Sequence, residues 1–274
     1  MNSDCYKFRK IIFEKSIFEN SISATYIVHL KGNKRLKHII NQLLTYQPTN
    51  IVYIVFNKGY KKCNKQKFIT NPPLDIVDCY ITIFNHAKNL NYNNILVLED
   101  DFIFSKSILD KNIINDINHF IFINNDNEFH YLLGCLPFFV LPYNLNTFQY
   151  VISGGAHAII YSKKYREKIL KIDQKKIHDW DLYSWKFINN RYCYYKPLCY
   201  QIFYESENSH YWGCNTIFKN IMKYMLFLIK YFLKISKLNK QPEPGFTFFY
   251  IFSQIFSFFI ILKILLIIKN NILL

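Results

Sequence analysis

Residues 24–30 (ATYIVHL) form a compact run of apolar, β-branched and aromatic positions, and 51–56 (IVYIVF) and 95–98 (ILVL) form two more. Short, nearly continuous runs of this kind predict strands buried on both faces of a sheet. Between the first two, Leu36, Ile39, Ile40, Leu43 and Leu44 recur at helical spacing, and Gln47-Pro48-Thr49-Asn50 closes that helix. Residues 75–90 predict a second helix before the third strand. Strand, helix, strand, helix, strand in this order predicts an α/β sheet with parallel character. Ligands of such sheets gather at the carboxyl ends of the strands. Glu99-Asp100-Asp101 follows the third strand at one of those ends.

The pattern is looser elsewhere. Residues 1–23 read as a partly helical lead-in, 106–120 as a helix, 130–134 as a strand, and 137–150 as a loop rich in proline and aromatics. Residues 150–161 (YVISGGAHAIIY) set a Gly-Gly pair between apolar runs, and 163–172 predict a helix. His178-Asp179-Trp180-Asp181 opens another helix with Asp179 as its N-cap, and 192–201 predict a late strand. No internal repeat is present.

The C-terminal fifth changes character. Lys219, Lys223, Lys230, Lys234 and Lys237 fall within about 60° of one another on a helical wheel, amid Ile, Met, Leu, Phe and Tyr. That pattern predicts an in-plane membrane helix over 216–240, or else a helix packed on the domain by a wide apolar face. Gln241-Pro242-Glu243-Pro244-Gly245 breaks the chain, and 18 of the 23 residues over 246–268 are apolar. At 1.5 Å per residue this segment reaches about 34 Å, enough to span a bilayer as a tail anchor. A second interfacial helix is the alternative. The expected organisation is a domain over 1–215, a basic interfacial helix over 216–240 and a membrane helix over 246–268.

Composition narrows the class. The chain has 274 residues, 51% of them apolar and 19% aromatic, which excludes a disordered chain or a coiled-coil rod. Of the formal charge of +15, residues 216–274 carry +7. Only four of the 34 basic residues are arginine (Arg9, Arg35, Arg166, Arg191), so nucleic acid is not an expected partner. The seven cysteines include no C-x-x-C pair, giving neither a zinc site nor a complete disulfide framework, and most are expected as reduced core residues. No N-x-S/T sequon occurs among 29 asparagines, and lysines crowd the N-terminal side of the apolar tail. Both features place the domain on the cytoplasmic face, and no signal peptide is expected.

Three adjacent carboxylates raise one another's pKa unless a cation joins them. Oxygen ligands on a short loop suit Mg²⁺ or Mn²⁺, which also bridges substrate phosphates. A solvated acidic turn capping the next helix is the alternative.

The run from Ile95 to Asp101 resembles the "lvLEDD" motif of glycosyltransferase family 25, which includes bacterial lipooligosaccharide and procollagen galactosyltransferases. Tyr26 to Leu30 with Arg35 is similar to that family's opening strand and downstream arginine. Residues 79–86, 153–162, 179–182 and 195–198 resemble its later segments in the same order, so the likeness covers about residues 24–210. Asn85 stands where the family usually has serine, and the Gly-Gly-Ala-His run departs from the usual form.

The resemblance implies a GT-A (Rossmann-like) nucleotide-sugar-binding sheet with C-terminal membrane-associated helices. It implies inverting transfer of a hexose, galactose or glucose, from a UDP-sugar to a hydroxyl of a glycan or protein acceptor. Glu99 and Asp101 correspond to the motif that holds Mn²⁺ (or Mg²⁺), and Asp100 would face the ribose or the sugar. Gly154 and Gly155 fall in a nucleotide-sugar-binding segment. Arg35 would assist at the nucleotide or pair on the surface. An inverting transfer needs a carboxylate base; Asp179 matches that position best, with Asp181 second. His157 and His178 are acceptor contacts or structural groups, His210 an extra ligand, and Trp180, Tyr211 and Trp212 candidates for stacking on a sugar. Two rivals remain: a membrane-tethered scaffold that keeps the sheet without turnover, and a metal-dependent phosphoester hydrolase.

Overall fold

A computed structural model describes residues 3–202, 231 and 245–272. The basic segment expected at 216–240, Tyr231 apart, and His210, Tyr211 and Trp212 lie outside these residues.

The three buried runs are strands β2 (Ala24–Leu30), β3 (Ile51–Asn57) and β4 (Ile95–Glu99). They pair in parallel, β3 with β2 and β2 with β4, so Leu30, Asn57 and Glu99 end along one rim. The whole sheet has seven strands in the order β1-β3-β2-β4-β7-β6-β8, with β1 and β7 antiparallel to their neighbours. Helices cover both faces, because strands with no polar face must bury both. On one side lie α2 (Pro72–Asn89), α4 (Lys163–Leu170) and α5 (Trp180–Ser184). On the other lie α1 (Leu36–Tyr46) and α3 (Lys111–Ile123). Alternation along β2 sends Tyr26 into the first layer and Ile27 into the second.

Three regions differ from the sequence expectation. The late strand expected over 192–201 is split into Arg191–Tyr194 and Cys199–Gln201, in different sheets, because Lys196-Pro197 interrupts it. The lead-in holds β1 (Tyr6–Ile12), an edge strand pairing antiparallel with β3. Its apolar positions are diluted by lysine and arginine because one flank is open to solvent, as suits an edge. The stretch expected as a loop at 137–150 continues β6 (His130–Pro142) into a hairpin with β7 (Thr147–Tyr161). Register shifts between Leu132 and Leu141 let the strand pass Pro137 without a continuous ladder. Strand β8 (Arg191–Tyr194) completes the sheet.

A second sheet, β5 (Phe102–Phe104) with β9 (Cys199–Gln201), pairs Phe102 with Gln201. The lysine-rich stretch after β3 is fastened twice. Cys5 is disulfide-bonded to Cys63 across a Cα separation of 5.6 Å. Lys65, its side chain only 3% exposed, pairs with Asp75 at 2.5 Å and Asp78 at 3.2 Å on α2. Cys79, Cys135, Cys193 and Cys199 are free and buried, as expected.

Helix α6 (Gly245–Ile272) is long and apolar enough to cross a membrane by length and composition. Its first turns pack against β6: Tyr250 joins the core, and Ser257 Oγ accepts from the Val140 N–H at 2.9 Å.

Candidate active site

The acidic turn at the end of β4 is divided in its duties. Asp100 is 7% exposed and accepts from Arg35 Nη1 at 2.5 Å, from Asn33 Nδ2, and from His29 Nδ1 at 3.1 Å. Burial pushes its carboxyl up, but His29, Arg35 and Asn33 outweigh burial and hold it below the usual range. Asp100 therefore fastens the acidic turn to the end of β2 and the loop after it. Arg35 also reaches Asp101 Oδ2 at 3.3 Å, so it lies within the cluster.

Glu99 and Asp101 converge on one group. Gln201 Nε2 donates to Glu99 Oε2 at 3.1 Å and to Asp101 Oδ1 at 3.2 Å. The antiparallel pairing of β9 with β5 brings Gln201 there, and the Ile202 N–H donates to the Asp101 carbonyl at 3.1 Å. Burial raises both carboxyls. Asp101 rises to about 7, with Asp100 adding to burial and Arg35 and Gln201 opposing it. Glu99 is raised well above its ordinary value, by burial first and then by Asp101, Asp181 and Asp100.

Asp181 faces the same cluster. Burial and the neighbouring Asp179 raise its carboxyl to about 7, against Arg191 and the Gly155 N–H. That N–H reaches Asp181 Oδ2 at 3.2 Å. Gly155 has φ +77°, a conformation side chains rarely adopt, and a Cβ there would meet His157 Nδ1 at 3.4 Å and Gln201 Oε1 at 3.6 Å. The Gly-Gly pair thus re-aims the strand. Gly155 borders the acidic cluster, whereas Gly154 pairs opposite Leu136 in the hairpin. Arg191, 1% exposed, donates to Ser153 Oγ at 2.8 Å and to Ser184 Oγ, and ties α5 to β7 beneath Asp181.

Asp179 caps α5, accepting from the Leu182 N–H at 3.0 Å, and burial raises its carboxyl. Its negative charge raises the Asp181 carboxyl. Trp180 is not placed to stack on a ligand: it lies in the core against Tyr80 at 4.4 Å and donates to the Tyr161 hydroxyl at 2.8 Å. His178 is exposed.

His157 is fully buried, and its Nε2 lies 3.1 Å from the Cys199 carbonyl. A carbonyl only accepts, so Nε2 carries the proton and Nδ1 keeps a lone pair. That Nδ1 has no hydrogen-bond partner among the described residues, and it lies on the side of Gly155 and Gln201. Burial lowers the imidazole pKa to about 4, so the ring is neutral at pH 7.

Gln201, His29 and Asn33 belong to the cluster without having been singled out in the sequence. Their types are common and their spacing from the acidic turn is long; only the pairing of β5 with β9 reveals Gln201.

Among the described residues, no group of three or more His, Cys, Asp or Glu side chains is arranged to hold a metal ion. Glu99 and Asp101 supply two converging carboxylates whose charged forms are disfavoured by burial and by neighbouring carboxylates, only partly offset by Arg35, so a cation between them would relieve both. Mg²⁺ and similar ions are held by one or two carboxylates plus substrate phosphates, so this donor set fits such an ion.

No family model matches the chain, and no curated protein matches it. Among solved structures, it is similar to a glycosyltransferase involved in the glycosylation of the major capsid of PBCV-1. That match has 12% identity, covers 68% of this chain and 95% of the other, and has a TM-score of 0.39. A likeness at that level carries no argument about function.

Proposed function

We propose that the chain is a membrane-associated glycosyltransferase of GT-A type, moving a hexose from a UDP-sugar to a hydroxyl of a glycan or protein acceptor with inversion. The observation that carries this reading is the meeting of Glu99, Asp101 and Asp181 at the carboxyl rim of parallel strands, with all three carboxyls raised. A solvated acidic turn would not bury its carboxylates or share one amide between two of them. The likeness of residues 95–101 to the family 25 motif supports the same reading.

In this account Glu99 and Asp101 would hold Mn²⁺ or Mg²⁺, which would supply charge neutralisation for a departing diphosphate. Asp100 and Arg35 keep the acidic turn in place. Asp181 serves as the base: a carboxylate titrating near 7 is matched to taking a proton at neutral pH. The acceptor hydroxyl oxygen bonds to the anomeric carbon, its proton passes to Asp181, and the bond from that carbon to the diphosphate breaks, releasing UDP. Gly155 N–H steadies Asp181 in its ionised form. This ordering favours Asp181, which acts directly on Glu99 and titrates near 7, over Asp179, which caps α5.

Titration calorimetry of the full chain in detergent tests the site. The account expects UDP to bind with Mn²⁺ and to bind at least tenfold more weakly with EDTA or in Asp101→Asn. UDP binding that ignores both changes would refute it.

A further inference from the structure

Helix α6 has one face packed on the domain and an opposite face left open. Phe246, Tyr250, Ser253 and Ser257 are each no more than 2% exposed. At about 100° per residue they share one narrow face. That face is fixed to the domain. Ser257 Oγ accepts from the Val140 N–H at 2.9 Å, and the Tyr250 hydroxyl lies 3.5 Å from Cys135 Sγ. Beside it, Gln254 donates to the Tyr195 carbonyl at 2.8 Å. Phe246 packs edge-on against His157, ring centres 5.7 Å apart. About 180° around the helix, Ile251, Ile255, Phe259, Leu262 and Leu266 form a stripe about 22 Å long. Each of the five is between 41% and 61% exposed.

A crossing helix must traverse about 30 Å of hydrocarbon. The docked turns cannot supply that length. Their partners Val140, Cys135 and Tyr195 belong to strand β6 and the chain after β8, and strand edges do not enter lipid with their backbone groups open. Residues 258–268 alone reach only about 16 Å. Crossing would either break the contacts to Ser257, Gln254 and Tyr250 or leave Lys269 and Asn270 near the bilayer centre, where one lysine costs about 3 kcal/mol.

We propose that α6 does not cross: it lies in the plane of the membrane, sunk into one leaflet, with the domain seated on its buried face and the opposite stripe among the acyl chains. Lys263 sits at the flank of the stripe, about 80° from its centre, where its ammonium reaches the headgroups. The preceding segment carries Lys219, Lys223, Lys230, Lys234 and Lys237, which supply attraction to anionic lipid. The occupant is a leaflet and not a second copy of the chain. Ile264, Leu265, Ile267 and Ile268 make the last turns apolar on every side; a protein partner covering one face would leave the others in water, whereas a leaflet covers them all.

Topology decides the proposal, and the readout needs no enzymatic activity, so it stands or falls apart from the catalytic reading. The full chain carries one tag ahead of Met1 and a different tag after Leu274 and is expressed into sealed microsomal vesicles. Protease is added before or after detergent. The two tags are expected to be digested together or protected together. One tag digested and the other protected overturns the proposal in favour of a crossing helix. Flotation with phosphatidylcholine–phosphatidylserine vesicles is the companion measurement. Ile255→Glu with Phe259→Glu is expected to lower the floating fraction at least fivefold, while Leu44→Glu on the exposed flank of α1 leaves it unchanged. A wild-type protein that does not float, or a double variant that floats as well as wild type, also overturns it.

Discussion

Replacing Asp101 by asparagine removes a buried charge while keeping the side chain's shape. In the folded chain burial raises this carboxyl from 3.8 to about 7. The group therefore binds its proton more tightly folded than unfolded. Its effect on stability is absent well below pH 4, grows unfavourable as pH rises toward 7, and is constant above that. At 1.36 kcal/mol per unit the full shift corresponds to roughly 4 kcal/mol. The contacts to Arg35 at 3.3 Å and Gln201 at 3.2 Å are weakened in the variant and offset part of this. The net expectation is that Asp101→Asn gains on wild type by roughly 1–3 kcal/mol between pH 4.5 and pH 8. Urea unfolding of the full chain in detergent with EDTA, at several pH values, measures the difference between the two proteins and so cancels groups they share. Mn²⁺ should stabilise wild type at pH 8 and leave the variant unmoved. A variant equal to or less stable than wild type at pH 8, with no pH-dependent gap, would refute the claim that the acidic turn holds excess buried charge.

Other outcomes follow from the same geometry. Asp181→Asn should lower kcat by about 10²–10⁴ with KM for the donor little changed, as for loss of a general base. Asp179→Ala should cost about 1 kcal/mol of stability by removing the α5 cap, and change kcat by less than tenfold; the reverse ranking in a rate assay would reassign the base. Gly155→Ala forces a side chain into φ +77° and should cost about 1–2 kcal/mol, read as a lower melting temperature, together with a loss of activity as the N–H leaves Asp181. Peptide mapping of alkylated, unreduced protein should recover Cys5 linked to Cys63; free thiols at both positions would contradict the bond and favour a reducing compartment.

The parts of the chain legible in sequence are those where one physical force dominates. Strands β2, β3 and β4 are buried on both faces, so their apolar runs are unbroken, and the acidic turn is visible because it interrupts the third of them. Asp179 was readable as a helix cap because capping is local, and Leu182 N–H lies where a cap predicts. Strand β1 was hidden because an edge strand tolerates Lys7, Arg9 and Lys10. The β6–β7 hairpin was hidden because its bulges absorb Pro137 and the Gly-Gly pair, both local signals for a break. Gln201 reaches Glu99 from 102 positions away, and no local pattern encodes a contact set by the pairing of two short strands. The composition of α6 announces a membrane helix, but the serines and tyrosine that bind it to the sheet look like minor interruptions until Val140 and Cys135 are seen beside them.

Release of UDP from a panel of UDP-hexoses, followed with Mn²⁺ present and with EDTA, tests the central claim most directly. Wild type, Asp101→Asn and Asp181→Asn are compared as full chains in detergent or vesicles. The account predicts release from one donor, dependent on the divalent ion, abolished by Asp101→Asn, and cut by at least a hundredfold in Asp181→Asn. A folded protein that releases no UDP from any donor, or one whose release survives both substitutions, would contradict it.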